Sequence, residues 1–189
     1  PGLMLKGDPG CGKSTFMRYL CLRLCAQRLE KTEGAVDEEE ALPINLIDTF
    51  PVFIEIKDLY SRIKDKSTIN FETLQQALID KLRQTLKANA AFEDWLQSDT
   101  HKVLWLFDGL DEINIEDEQR KHFMREMTEW MSHRKNWTTI FTMRPYAFND
   151  GYDPDFTTRS VQPLNKESVH YFIKQFFQHI PNSQIDQSP

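Results

Sequence analysis

The chain has 189 residues, 40% of them hydrophobic and 28% charged, with 23 Lys and Arg against 29 Asp and Glu for a net charge of −6. That mix fills the core of one ordinary globular domain and argues against both a disordered segment and a broad basic surface for nucleic acid. No apolar run reaches the length that spans a bilayer, and no basic-then-apolar leader opens the chain, so a cytoplasmic protein with no membrane partner is expected.

The elements follow in chain order. Residues 3–6 (LMLK) form a short apolar run ending at glycine, as a buried parallel strand does. From residue 13 to about 28 the apolar residues Phe16, Met17, Leu20, Leu24 and Cys25 recur every three or four positions, which predicts a helix with one buried face. The acidic, Gly- and Pro-containing residues 30–45 break that period and read as a solvated surface insertion. Residues 51–59 (PVFIEIKDL) predict a second strand. A helix over residues 71 to about 87 is expected to bury Phe71, Leu74, Leu78, Leu82 and Leu86, with Asn70 capping its first turn. Residues 91–99 suggest a short extra helix, and residues 102–108 (KVLWLFD) an apolar strand ending on a carboxylate.

Residues 116 to about 133 predict a helix with acids in its first turn, bases in its last, and Phe123, Met127, Trp130 and Met131 inward. A fourth strand is expected over residues 137–145, stopping at Arg144 before a proline, and a short fifth over 159–164. Asn165 caps a last helix whose Val169, Phe172, Ile173, Phe176 and Phe177 form a wide apolar stripe. That stripe needs a cover, and the chain opens directly on a strand, so a segment of a longer protein is expected. Cys11, Cys21 and Cys25 are odd in number and lack disulfide spacing, which points to a reducing compartment. Cys21 and Cys25, one helical turn apart, have no nearby partners for a metal and read as small core hydrophobes.

Strands alternating with helices predict an α/β domain with a parallel sheet covered on both faces, whose ligands bind at the carboxyl ends of the strands. The first such end carries GDPGCGKST, residues 7–15, in which Gly7, Gly12, Lys13 and Ser14 satisfy G-x-x-x-x-G-K-[ST] between a strand and a helix. By chance a chain of this length would match roughly once in a hundred cases or fewer. The glycines let the backbone amides from Gly10 to Ser14 converge on phosphate oxygens, with Asp8, Pro9 and Cys11 completing the loop and the helix N-terminus adding its dipole. Lys13 reaches the β and γ phosphates, the Ser14 hydroxyl is offered to Mg²⁺, and Thr15 supports the α phosphate.

At the next strand end, Asp108 is placed to serve the same Mg²⁺. In DGLDE, Gly109 permits a sharp turn that returns Asp111 and Glu112 toward that end. Three carboxylates crowded together repel unless cations or water solvate them, which a magnesium triphosphate and an attacking water would explain. Arg144, at the fourth strand end, is expected to meet the γ phosphate as a fixed charge.

These residues resemble the NACHT domains of the STAND class of P-loop ATPases, relatives of AAA+ proteins. The likeness rests on GDPGCGKST, PVFIEIKDL, VLWLFDGLDEI and TMRP and covers nearly the whole chain. It implies a three-layer core over residues 1–163 with a five-stranded parallel sheet in the order 5-1-4-3-2. The run VQPLNKESVHYFIKQFF would then lead into a helical lid, truncated here to its first helix over 164–189. It further implies a switch, off with ADP and on with ATP, that hydrolyses slowly and controls self-association of a signalling or antiphage defence protein, with effector and sensor domains elsewhere. Lys13 and Ser14 would serve phosphate and metal, Asp108 the metal, Asp111 and Glu112 hydrolysis, and Arg144 γ-phosphate sensing. Which of the two later acids orients the water stays open. A nucleotide-holding scaffold and another AAA+-like ATPase are the alternatives. A GTPase is disfavoured, because NKES at residues 165–168 lacks the Asp of the guanine-reading N-K-x-D, so adenine is expected.

Overall fold

The structure is a computed structural model that describes residues 2–33, 46, 48–64, 69–87, 89–146, 156–162, 165–167 and 170. The described elements are β1 (Gly2–Lys6), α1 (Lys13–Glu33), β2 (Thr49–Glu55), α2 (Ile56–Ser61), α3 (Phe71–Leu86), α4 (Ala90–Gln97), β3 (Lys102–Asp108), α5 (Asp117–Ser132), β4 (Trp137–Met143) and β5 (Thr157–Ser160). A single 3-10 turn, Leu110–Glu112, follows β3. All strand pairs are parallel and the sheet runs β2-β3-β4-β1-β5, the expected order read from its other edge.

Side-chain alternation along the strands divides the core into two layers. Val103, Trp105 and Phe107 of β3 join Val52 and Ile54 of β2, Phe141 and Met143 of β4 and Met4 of β1 beneath α2, α3 and α5. Leu104 and Leu106 point the other way, with Leu5 and Ile140, onto Met17, Leu20 and Leu24 of α1. The first layer is the larger and holds an aromatic cluster in which Trp105 packs edge-on against Trp130 and Trp137 while stacking on Phe107. The strands are apolar on both faces because helices cover both, and the predicted three-layer α/β architecture is the one observed.

Where the structure departs from the periodicity, the local reason is visible. The predicted second strand is half helix: β2 stops at Glu55, level with Asp108 of β3, and beyond that point β3 has no residue left to pair with it. Ile56 and Leu59, at helical spacing, are then both fully buried by α2. On α1 the buried stripe is Met17, Leu20 and Leu24, whereas Phe16 is 46% exposed and Cys25 is exposed. Each lies one residue, about 100° of rotation, beside a stripe member and therefore falls off the sheet-facing side. Leu86 likewise ends exposed at the last residue of α3.

β4 closes at Met143 rather than running through Arg144 and Pro145, and β5 starts two residues earlier than its apolar signal because its register is set by β1, with Leu3 opposite Thr157. The last turn of α5 holds no base; His133 occupies the C-cap. The predicted insertion, from residue 34 on, and the predicted final helix lie outside the described residues, except for 165–167 and 170 of the latter. No described helix is long and apolar enough to cross a membrane.

Asn70 caps α3 as expected, and the cap is reciprocal: its side chain accepts from Thr73 N at 3.0 Å while Thr73 Oγ1 accepts from Asn70 N at 2.9 Å. Replacing Asn70 with Ala is expected to cost about 1 kcal/mol. A lower urea midpoint at an unchanged slope would report it, and an unmoved midpoint would refute it.

Candidate functional site

The carboxyl ends of β1, β4 and β3 lie side by side in the sheet, since β4 pairs with both of the others. After β1 the chain turns over β4, with Gly7 N donating to Met143 O at 3.2 Å, and climbs into the glycine loop. Gly10 and Gly12 hold φ of 77° and 93°, values that L side chains rarely adopt, and a Cβ on either would meet nothing within 4 Å. The glycines there serve backbone conformation on an open face rather than close packing. Asp8, Pro9 and Gly10 form the exposed crown, Cys11, Gly12, Lys13 and Ser14 are half-buried, and Thr15 is exposed.

Among the described residues, most amides of the loop have no acceptor. The first closed helical bond of α1 runs from Phe16 N to Gly12 O at 2.8 Å. The amides of Gly10, Gly12, Lys13, Ser14 and Thr15 make no hydrogen bond with any described residue. Lys13 Nζ folds back onto the start of the loop, donating to Gly7 O at 2.6 Å and to Asp8 O at 3.1 Å. A row of amides at a helix N-terminus beside a lysine is a fitting cradle for phosphate oxygens.

The acidic end of β3 is built differently from the crowded trio predicted. Asp108 is 7% exposed and its Oδ1 accepts from the Thr142 hydroxyl of β4 at 2.5 Å, while its Oδ2 has no partner among the described residues. Gly109, at φ 78°, turns the chain sharply as expected. Asp111 is held against β4: its Oδ1 accepts from Arg144 N at 3.0 Å and its Oδ2 lies 2.8 Å from Arg144 Nε. Arg144 is therefore paired with one of the acids rather than projecting alone. Glu112 is exposed and folds over Gly109; its amide donates to Gly109 O at 3.0 Å, while its carboxylate makes no hydrogen bond or ion pair with a described residue. Mutual repulsion is relieved by giving the three carboxylates separate surroundings.

Downstream, Arg120 of α5 staples the acidic loop by donating to Ile113 O and Ile115 O at 3.3 and 3.2 Å and to Asp117 Oδ1 at 2.8 Å. Thr142 and Arg120 were not legible as site residues, because a β-branched residue in a strand and a base within a helix are ordinary there.

Among the described residues no three His, Cys, Asp or Glu side chains gather to hold a metal by themselves. Magnesium beside a polyphosphate needs only one or two protein ligands, and the Ser14 hydroxyl and Asp108 Oδ2, both without a partner among the described residues, fit it. Burial, then the neighbouring Cys25, push the Cys21 thiol up to about 11. An open cleft of about 260 Å³ lined by Leu96, Trp130, Arg134 and Trp137 sits at the amino ends of the strands and contains none of the predicted site residues.

A five-stranded parallel sheet in this order, with a glycine-lysine loop between β1 and α1 and a carboxylate closing β3, defines a P-loop NTPase fold. The chain belongs to the novel STAND NTPase 3 family, whose model matches residues 2–175. No curated protein matches the chain. The STAND class inferred from the motifs is thereby established, and the family is one of nucleoside triphosphatases.

Proposed function

We propose that this domain binds Mg·ATP and hydrolyses it slowly, as the NACHT-like switch of a larger cytoplasmic signalling or defence protein whose self-association follows the bound nucleotide. The observation that carries this reading is the set of five amides in the loop and first turn of α1, Gly10, Gly12, Lys13, Ser14 and Thr15, that have no partner among the described residues. Gly7 to Thr15, with Asp8, Pro9 and Cys11 shaping the loop, form the phosphate cradle, and Ser14 and Asp108 would hold the metal. Bound there, Mg²⁺ would neutralise charge on the transferring phosphoryl group. Glu112 orients the attacking water, being the one acid of the cluster without a protein partner among the described residues, and Arg144 reads the γ phosphate once it leaves Asp111. Membership of a STAND NTPase family supports the switch role, and three free cysteines accord with a reducing compartment.

A second reading has a specific observation behind it. With Arg144 held by Asp111 through two contacts, the site is arranged to hold nucleotide without turning it over, as a scaffold would. The test of the leading reading is calorimetry and phosphate release on the intact parent protein with ATP and with GTP. The expected result is Mg·ATP binding displaced poorly by GTP, with turnover well below the median enzyme rate of about 10 s⁻¹. Absence of Mg·ATP binding at millimolar concentration would overturn it.

A further inference from the structure

Thr142 lies inside β4, fully buried, two residues before Arg144 and beside the end of β3. Its hydroxyl makes two bonds to the neighbouring strand end. It lies 2.5 Å from Asp108 Oδ1 and 2.8 Å from Gly109 N, which donates to it. A hydroxyl has one proton, and Asp108 as a carboxylate can only accept, so the directions are settled: Gly109 N–H gives to Oγ1, and Oγ1–H gives to Asp108. Both bonds are buried, and both groups they satisfy are otherwise without a partner among the described residues.

We infer that Thr142 is a positioning residue for the metal site: one hydroxyl fixes which carboxylate oxygen of Asp108 is used up and which is presented, and anchors the left-handed turn that carries Asp111 and Glu112. The inference rests on the reading of Asp108 as a metal ligand. Oδ1 is committed to β4, so Oδ2 is the oxygen free to meet a cation. Outer partners of this kind hold a ligand in one orientation, and their loss typically costs about 10- to 100-fold in metal affinity. The same hydroxyl ties the strand that bears Arg144 to the turn that bears Asp111, so the backbones on which their ion pair rests are held together. A valine at this position keeps the shape and β propensity of threonine while removing both bonds.

The experiment is a Mg²⁺ titration of ATP binding by calorimetry on the full parent protein, comparing wild type, T142V and T142S, with ATP affinity in EDTA as the metal-free arm. T142V is expected to raise the half-saturating Mg²⁺ about tenfold or more with little change in metal-free ATP affinity, and T142S to restore the wild-type midpoint. A loss of ATP affinity equal with and without Mg²⁺ would mark a merely structural residue and overturn the inference, as would an unmoved midpoint in T142V. Should T142V not stay folded through the titration, T142C, with its weak S–H donor, replaces it and the same direction is required. Wild-type protein that bound no Mg·ATP would overturn the reading of the site itself, whereas normal wild-type binding with a midpoint indifferent to the hydroxyl overturns only the role of Thr142.

Discussion

Lys13→Ala is expected to weaken Mg·ATP binding by about 100-fold or more while leaving the fold intact. Among the described residues Lys13 Nζ is the one ammonium bonded into the loop, where it donates to Gly7 O and Asp8 O. On the proposed function, those carbonyl bonds would be exchanged for bonds to anionic phosphate oxygens. Hydrogen bonds to a charged group are worth about 1.5 to 3 kcal/mol each, and about 1.4 kcal/mol is a factor of ten, so losing two of them removes at least two decades of affinity. The fold loses little, because Lys13 is absent from both core layers and the helix it opens is anchored by Met17, Leu20 and Leu24. A substitution outside the core ordinarily stays within about 0.5 kcal/mol, and alanine is the best helix former. Calorimetry with ATP and a thermal melt on the same preparation separate the two outcomes. Equal ATP affinity in wild type and variant would refute the cradle.

The parts of this architecture that were legible in the sequence are those whose signal is local. The loop at residues 7–15 was readable because its glycines, lysine and serine answer to one chemical demand at fixed spacing, and the structure puts the glycines between β1 and α1 and the lysine and serine in the first turn of α1. Asp108 was readable because an apolar strand that ends on a carboxylate is a sharp change of polarity. The buried face of α5 was readable because a helix against a sheet repeats its contacts every three to four residues, and Phe123, Met127, Trp130 and Met131 are indeed buried.

What stayed hidden depends on neighbours distant in the chain. β2 gives way to α2 because β3 stops pairing at Asp108, a limit set some fifty residues downstream. The fifth strand was expected, but its start at Thr157 was not, because that register is set by pairing with β1 rather than by any apolar period in TTRS. Thr142 acquires its role from Asp108 and Gly109, more than thirty residues away. The pairing of Asp111 with Arg144 is of the same kind: each looked available for the nucleotide when read alone, and across the β3–β4 crossover each finds the other.

On the proposed function, that pairing assigns the two later acids different work, and the second large expected effect follows from it. Glu112→Gln should lower phosphate release by about 100- to 10,000-fold, the usual contribution of a positioned general base, with Mg·ATP affinity retained because the carboxamide keeps the size and the phosphate cradle is untouched. Asp111→Asn should act otherwise. Its side chain still accepts from Arg144 N through one oxygen but loses the ionic contact to Nε, so Arg144 is released from the acid that now holds it. Turnover should change far less than in Glu112→Gln, and the affinity difference between ATP and ADP should widen, since a freed guanidinium meets the γ phosphate that only ATP carries. Single-turnover phosphate release and paired ATP and ADP titrations on the parent protein read both effects. If Asp111→Asn stops the chemistry and Glu112→Gln does not, the roles are exchanged. If the double variant turns over as wild type does, these carboxylates take no part in hydrolysis and the scaffold reading stands in place of the switch.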